Sequence, residues 1–269
     1  MKKHFRHRFV PSFLSLAALI FFFVHQGIAA DTAPAANEPF DYAKPALLTA
    51  TLYETGSDEK KILFTFRRTA TRSGTTVRAE RQFLLPDGSV AAVENVVYES
   101  GQLVSFAMQE FQANVSGSIK IVPDPKKPAQ QKMLIAFGHG LQPPKKGNPQ
   151  TFTPDTVIDD NLYPFMLAHW YDLMRGSAVK FHFVSLEWER TFLFRFVKSG
   201  ETMRDGRLVE QIKMEPVNIF VAHVVKPLYF NVEKDAPHRL LSYTGRTTPR
   251  VKKGKSWKYL DAETVFDWK

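Results

Sequence analysis

Residues 81–94 read RQFLLPDGSVAAVE, and this stretch decides the fold. Apolar residues recur at alternate positions on both sides of Asp87-Gly88: Val77, Ala79, Phe83 and Leu85 before it, and Val90, Ala92, Val96 and Tyr98 after it. An Asp-Gly pair between two alternating runs is a strong hairpin signal, because both central positions of such a turn favour positive φ. The stretch therefore predicts two antiparallel strands that each bury one face.

The same turn predicts which residues face each other. With Asp87-Gly88 as the loop, the opposed positions are Leu85 and Val90, Phe83 and Ala92, and Arg81 and Glu94. Arg81 and Glu94 then lie on the apolar face, where a charge is costly unless it is paired. We expect a cross-strand ion pair with the charged groups within about 4 Å. The pair either fixes the register or anchors a ligand head group inside a cavity.

Similar strand-like runs follow along the chain. They are separated by Gly-containing turn signals: Ser100-Gly101, Ser116-Gly117, Ser199-Gly200 and Asp205-Gly206. Sequential strands joined by short turns predict an antiparallel meander. Residues 123–160 contain many prolines, which lack the N–H that a sheet ladder needs, and they predict loops around one short strand at Met133–Phe137.

One helix is predicted within this β-rich chain. Asp159-Asp160 precedes a helical apolar pattern over Leu162–Leu173, and Arg175-Gly176 follows it. Acids at the start and a glycine after the end suit the helix dipole and the C-terminal cap. The segment Val217–Val225 fits either a short helix or a strand. We therefore expect residues 46–269 to form a single mainly β domain, a strongly curved antiparallel sheet or open barrel with one helix packed on its concave side.

An aromatic stripe gives a candidate binding surface. A strand near 186–198 places four aromatic residues on one face: Trp188, Phe192, Phe194 and Phe196. These rings either pack in the core or line a cavity for an apolar ligand. The candidate ligand-binding residues are these four, with Arg81 and Glu94 as a polar anchor.

The N-terminus predicts export. Four basic residues without an acid precede an apolar run over Phe13–Val24, and the small residues Ala29-Ala30 follow. This is the layout of a secretory signal peptide. The apolar run is shorter than the about 20 residues that a membrane span needs. We expect residues 1–30 to be a cleaved signal peptide, residues 31–45 to be a flexible N-terminal segment, and no transmembrane span to remain after cleavage.

The composition and the motifs of the chain exclude several kinds of functional site. The chain has no cysteine, which excludes disulfides, thiolate metal sites, cysteine nucleophiles and lipidation at the signal-peptide junction. We therefore expect a periplasmic protein that is not a lipoprotein. Without the four basic residues of the signal segment, 32 basic and 27 acidic residues remain, and the net charge falls from +9 to +5. This charge does not favour a nucleic-acid partner. The sequence has neither a paired-histidine metal motif nor a Gly-x-Ser-x-Gly motif, so we expect no metal, no cofactor and no enzymatic activity.

Several segments resemble a family of uncharacterised exported bacterial proteins. They are Arg81–Gly88, Glu94, Tyr98–Gly101, Lys226–Phe230 and Leu240–Thr247. An exported meander with an inserted helix is also loosely similar to the half-barrel of periplasmic lipoprotein carriers, in which a helix plugs the concave side and the cavity holds acyl chains. This second resemblance implies that Leu162–Leu173 is the plug and that the aromatic stripe lines the cavity.

Two functions are therefore expected, in order of preference. The first is non-enzymatic binding of an apolar or lipid-like ligand, such as an acyl chain, in the periplasm. The alternative is a structural or interaction protein of the cell envelope. It would meet an envelope protein through exposed sheet edges and the basic segment Arg246–Lys258. A solid aromatic core with an exposed apolar patch would favour the alternative, and an empty concave face would favour the first.

Overall fold

The computed structural model describes residues 41–145, 147–204, 206–223 and 225–268. The expected signal peptide, residues 1–30, and residues 31–40 of the expected flexible segment lie outside this part of the chain. The described residues contain one sheet of fifteen strands. The strands are β1 (Leu47–Glu54), β2 (Ile62–Ser73), β3 (Thr76–Leu84), β4 (Val90–Glu99), β5 (Gln102–Glu110), β6 (Val115–Asp124), β7 (Lys127–His139), β8 (Asn148–Thr151), β9 (Thr156–Val157), β10 (Val179–Ser185), β11 (Arg190–Arg204), β12 (Arg207–Pro216), β13 (Leu228–Glu233), β14 (Leu240–Lys253) and β15 (Ser256–Asp267).

The order of the strands is that of two meanders joined side by side. Strands β8 to β1 follow one another in reverse chain order, β1 pairs with β15, and β15 to β9 continue the sheet. Every neighbouring pair is antiparallel except β9 and β10, which are parallel. The ladder does not close on itself, because β8 and β9 form its two ends. The predicted fold class, a mainly β, curved and open antiparallel sheet, is confirmed.

Side-chain contacts, rather than ladder hydrogen bonds, link the two halves of the sheet near its ends. The Glu189 carboxylate, in the turn between β10 and β11, accepts a hydrogen bond from the backbone N–H of Phe137 on β7 at 2.9 Å. The Asn148 amide on β8 donates to the Glu189 carbonyl, also at 2.9 Å. The turn between β10 and β11 therefore bridges to the far end of the other meander.

The helical segment follows β9 and is interrupted. A 3-10 turn (Asp159–Asn161) leads into α1 (Leu162–Ala168) and α2 (Trp170–Met174), and a third short helix, α3 (Ile219–Ala222), follows β12. The prediction of one continuous helix over Leu162–Leu173 is wrong, because the segment is divided into α1 and α2. His169 leaves the helical conformation with φ −114° and ψ 17°, and its N–H bonds to the Met166 carbonyl at 3.1 Å, which tightens the end of α1.

The hairpin register is confirmed except next to the turn. Phe83 faces Ala92 and Arg81 faces Glu94, as predicted. Val90, however, faces Leu84 rather than Leu85, because a bulge shifts the register there. The Gly88 N–H bonds to the Leu85 carbonyl at 2.9 Å, and Gly88 has a φ of 85°. A two-residue hairpin turn of the predicted type needs positive φ at both Asp87 and Gly88, but only Gly88 has it. The loop is therefore a longer one, a tight turn followed by a glycine bulge.

Further strand boundaries differ from the prediction. Ser116-Gly117 and Ser199-Gly200, expected as turns, lie inside β6 and β11. The short strand expected at Met133–Phe137 is part of the longer β7, and Pro123 is tolerated in β6 because a register shift follows it directly. The strand expected near 186–198 begins only at Arg190. Glu189 has a φ of 48° and its N–H bonds to the Leu186 carbonyl at 2.9 Å, so residues 186–189 form a turn.

The core consists of three groups of buried residues, one of which packs the helical segment against the sheet. Met166 and Leu173 of the helical segment are fully buried against β10–β14, where Phe181 and Phe196 are also fully buried. Burying a side chain of this size stabilises the fold by about 1.5–3 kcal/mol. A second group of buried residues lies on β2–β7, and a third lies on β1–β4 and β15. The helical segment is thus packed on the half of the sheet that follows it in the chain.

Candidate functional site

A cavity of about 140 Å³ lies on the inner face of the sheet beside the start of α1. Its apolar wall comes from both meanders, around the junction of β1 and β15. The apolar lining includes Leu48, Leu52, Phe66, Phe83, Phe230 and Phe266. Lys44 and Arg246 also line the cavity and their side chains are well exposed, which places them at its rim. The cavity therefore connects an apolar interior with the surface.

Arg81 gives this apolar cavity a charged wall. Its Nη1 atom lies 2.9 Å from Oε2 of Glu94, and the two side chains are 14% and 1% exposed. The predicted cross-strand ion pair is confirmed. The guanidinium also lies over the rings of Phe66 and Phe83, at 5.5 and 5.8 Å from their centroids. Among the described residues, neither Nη1 of Arg81 nor Oε2 of Glu94 has a hydrogen bond of normal geometry, so the contact is close but misaligned.

A second buried ion pair lies beside the first and is fully hydrogen-bonded. Nε of Arg68 donates to Oδ1 of Asp160 at 3.0 Å, and the Tyr98 hydroxyl donates to Oδ2 at 2.8 Å. Arg68 also donates to the Tyr42 carbonyl at 2.8 Å, and the Tyr42 ring stacks on Tyr98 with 4.0 Å between centroids. Residues 41–45 were expected within the flexible segment, but Tyr42 contacts both β2 and β4. Both oxygens of the Asp160 carboxylate are occupied.

Asp159 is the acidic residue that faces the cavity. Its side chain is exposed and lines the open space. Within the described part of the chain, its carboxylate accepts no hydrogen bond from another side chain. The site therefore offers one unoccupied carboxylate next to one guanidinium.

The charges around the interior of the cavity nearly cancel. Two arginines, Arg68 and Arg81, meet three carboxyl groups there, Glu94, Asp159 and Asp160, while the cationic Lys44 and Arg246 lie at the rim. Burial raises the pKa of Glu94 to about 7, against the attraction of Arg81. Burial also raises the pKa of Asp159, again opposed by Arg81. For Asp160 burial acts in the same direction, but Arg68, Arg81 and two hydrogen bonds outweigh it and lower the pKa. With all groups ionised the cluster carries one net negative charge, and one added proton neutralises it.

The structure separates the six predicted site residues into three groups. Arg81 lines the cavity, and Glu94 lies behind it. Phe194 and Phe196 are buried in the core beneath the helical segment, and Phe192 packs against the same core. Trp188 lies in the turn before β11 and is 68% exposed. None of the four aromatic residues of the stripe lines the cavity.

Sequence reasoning missed the rest of the wall. Asp159 had a visible signal, two consecutive acids before an apolar helix, but we interpreted it as a helix N-cap. Phe66 follows Ile62 and Phe64 at alternate positions, a pattern typical of a strand, whereas Trp268 belongs to no predicted element. Local alternation shows that a residue points inward, but it does not show which strands lie next to each other. β15 contributes to the cavity because it pairs with β1, and no local sequence pattern predicts that pairing.

The described residues offer neither a metal site nor a membrane-spanning helix. No group of three or more His, Asp or Glu side chains there is arranged to hold a metal ion. No helix there is long and apolar enough to cross a membrane.

Comparison with known proteins gives one similar structure. No family model matches the chain, and no curated protein matches it. The chain is similar to the crystal structure of a β-barrel-like protein of a domain of unknown function, DUF1849, from Brucella abortus. The two chains are 10% identical, with a TM-score of 0.38, over 82% of this chain and 93% of the other. The expected membership of a family of exported proteins stays a prediction.

Proposed function

We propose that this protein binds an apolar or lipid-like ligand in the periplasm and is not an enzyme. The observation that carries the proposal is the cavity of about 140 Å³, whose wall is mostly apolar and which reaches the surface at Lys44 and Arg246. An apolar cavity of about 150 Å³ in another protein stays dry and takes up benzene. A space of this size accommodates a ring or a short length of alkyl chain rather than a whole lipid.

The arrangement of the walls supports binding over a purely structural role. The inner face of β10–β14 is filled by the helical segment together with Phe194 and Phe196. The inner face at the junction of β1 and β15 keeps open space next to a buried charged group. Pockets that bind small molecules typically combine an apolar wall with a few polar groups of this kind.

The periplasmic location is inferred from the sequence. The basic start, the short apolar run and Ala29-Ala30 are the features of a cleaved signal peptide, and the absence of cysteine argues against lipidation. A binding protein in that compartment meets the amphiphiles of the envelope.

The test uses a cavity-filling variant and a matched control on the same strand. Leu48→Trp places a large ring in the cavity, whereas Thr51→Trp makes the same addition on the opposite face of β1. Each protein is purified from its host without detergent and analysed by native mass spectrometry and lipid extraction. We expect a bound amphiphile on the wild type and on Thr51→Trp, and none on Leu48→Trp.

Two results would count against the proposal. One is a wild-type protein that carries no amphiphile and binds none when decanol is added. The other is a folded Leu48→Trp variant, checked by circular dichroism, that binds as much as Thr51→Trp does.

A further inference from the structure

We propose that the cavity selects amphiphiles with an uncharged head group that both accepts a hydrogen bond from Arg81 and donates one to Asp159, as a hydroxyl group does. This inference rests on the proposed binding function and specifies its ligand. Alkyl alcohols carry such a head group, whereas ionised fatty acids and alkylamines do not, and the cavity holds the head group with only a short length of the chain.

The donor side of the site is Arg81. A guanidinium has five N–H groups and no acceptor. Only one of its nitrogens lies close to a carboxylate, the 2.9 Å contact of Nη1 with Glu94. The guanidinium also contacts two neighbouring rings, Phe66 and Phe83, which lie on the same side of it. Because Arg81 lines the cavity, its remaining N–H groups are available to an acceptor atom that enters there.

The acceptor side is Asp159 and not its neighbour. Asp160 has both oxygens engaged by Arg68 and Tyr98. Asp159 lines the cavity and keeps accessible surface. A ligand that donates a hydrogen bond to Asp159 therefore displaces no protein contact among the described side chains.

The balance of charge argues for a neutral head group. Arg68 and Asp160 neutralise each other within hydrogen-bond distance. Arg81 is already paired with Glu94 at 2.9 Å, and the two cations at the rim, Lys44 and Arg246, have the carboxylates of Asp41 and Asp261 within 4.0 Å. An anionic head group next to Asp159 would add like-charge repulsion, and a cationic one would approach Arg81. A hydroxyl group gains both hydrogen bonds without either cost.

The first experiment compares three probes with the same alkyl chain. Decanol, decanoate and decylammonium are titrated into the purified mature protein at neutral pH by isothermal calorimetry. We expect decanol to bind at least about tenfold more tightly than either charged probe, the equivalent of about one well-aligned hydrogen bond or charge contact. Equal affinities for the three probes would overturn this inference and leave the binding function standing. Binding of none would overturn both, and tighter binding of a charged probe would overturn the selectivity alone.

The second experiment removes the charge of the acceptor. Asp159→Asn keeps the shape of the side chain, and Asp172→Asn on α2 is the matched control, because that carboxylate is 57% exposed and does not line the cavity. We expect Asp159→Asn to weaken decanol binding several-fold, since hydrogen bonds to a charged acceptor are the stronger ones. We expect it to strengthen decanoate binding about tenfold, because the substitution removes the repulsion between two like charges. Asp172→Asn should change neither value. A decanol-to-decanoate ratio that Asp159→Asn leaves unaltered would overturn the assignment.

Discussion

Glu94 should make the stability of this protein fall as the pH rises from acidic to neutral. Its side chain is 1% exposed, and burial outweighs the attraction of Arg81 because Asp159 and Asp160 add repulsion. The pKa of Glu94 in the folded protein is therefore about 7, against an ordinary value of 4.5. The unfolded chain gives up this proton at the lower pH, and the folded protein holds it until the pH reaches about 7.

The sign and size of the effect follow from this difference. A carboxyl group with a raised pKa contributes its full stability below the unfolded value, and that stability is lost as the pH rises through the folded value. One pKa unit corresponds to about 1.4 kcal/mol. The pKa of Glu94 differs between the unfolded chain (4.5) and the folded protein (about 7). The free energy of unfolding therefore falls by about 3 kcal/mol between about pH 4 and about pH 8.

The assay is urea unfolding at both pH values for the wild type and for Glu94→Gln, which cannot titrate. We expect the wild type to lose about 3 kcal/mol more than the variant over this range. Glu99→Gln, at the end of the same strand, is the control and should retain that loss. Equal pH dependence in the wild type and Glu94→Gln, with unchanged m-values, would refute the reasoning.

Two further substitutions test the packing that surrounds the site. Tyr98→Phe removes the hydroxyl group that donates to the buried Asp160 carboxylate, and we expect a loss of about 2 kcal/mol in urea unfolding; a loss below about 0.5 kcal/mol would contradict the assigned hydrogen bond. Phe196→Ala removes a fully buried ring and should cost about 3–5 kcal/mol, whereas Trp188→Ala, at a position 68% exposed, should change the stability by less than about 1 kcal/mol. Similar shifts of the melting temperature for both variants would contradict the placement of the two rings.

The hairpin shows what a local pattern determines. Period-two alternation identifies the buried face, and the Asp-Gly turn fixes the opposed residues, so the pairing of Arg81 with Glu94 follows from a few neighbouring residues. The bulge at Leu84 does not follow from that pattern. It depends on how the turn closes around Gly88, and several turn types suit the same residues.

The cavity shows what a local pattern leaves open. Alternation in β11 places Phe194 and Phe196 inside, but whether the space beside them is empty depends on which element covers them. The helical segment packs on that half and fills it. The open space lies instead at the junction of β1 and β15, which are far apart in the chain. A residue such as Phe266 takes part in the site only through that long-range pairing.

The junction of β1 with β15 also has a consequence for how the chain folds. Thr49 pairs with Arg67 across 18 residues and with Asp267 across 218. Loop-closure entropy makes the longer connection about 2 kcal/mol more costly. Each meander is built from short hairpins, so both are expected to form before the ladder that joins them, and long-range pairings of this kind slow folding. We therefore expect the cavity, whose walls come from both sides of that ladder, to be the last part of the molecule to form.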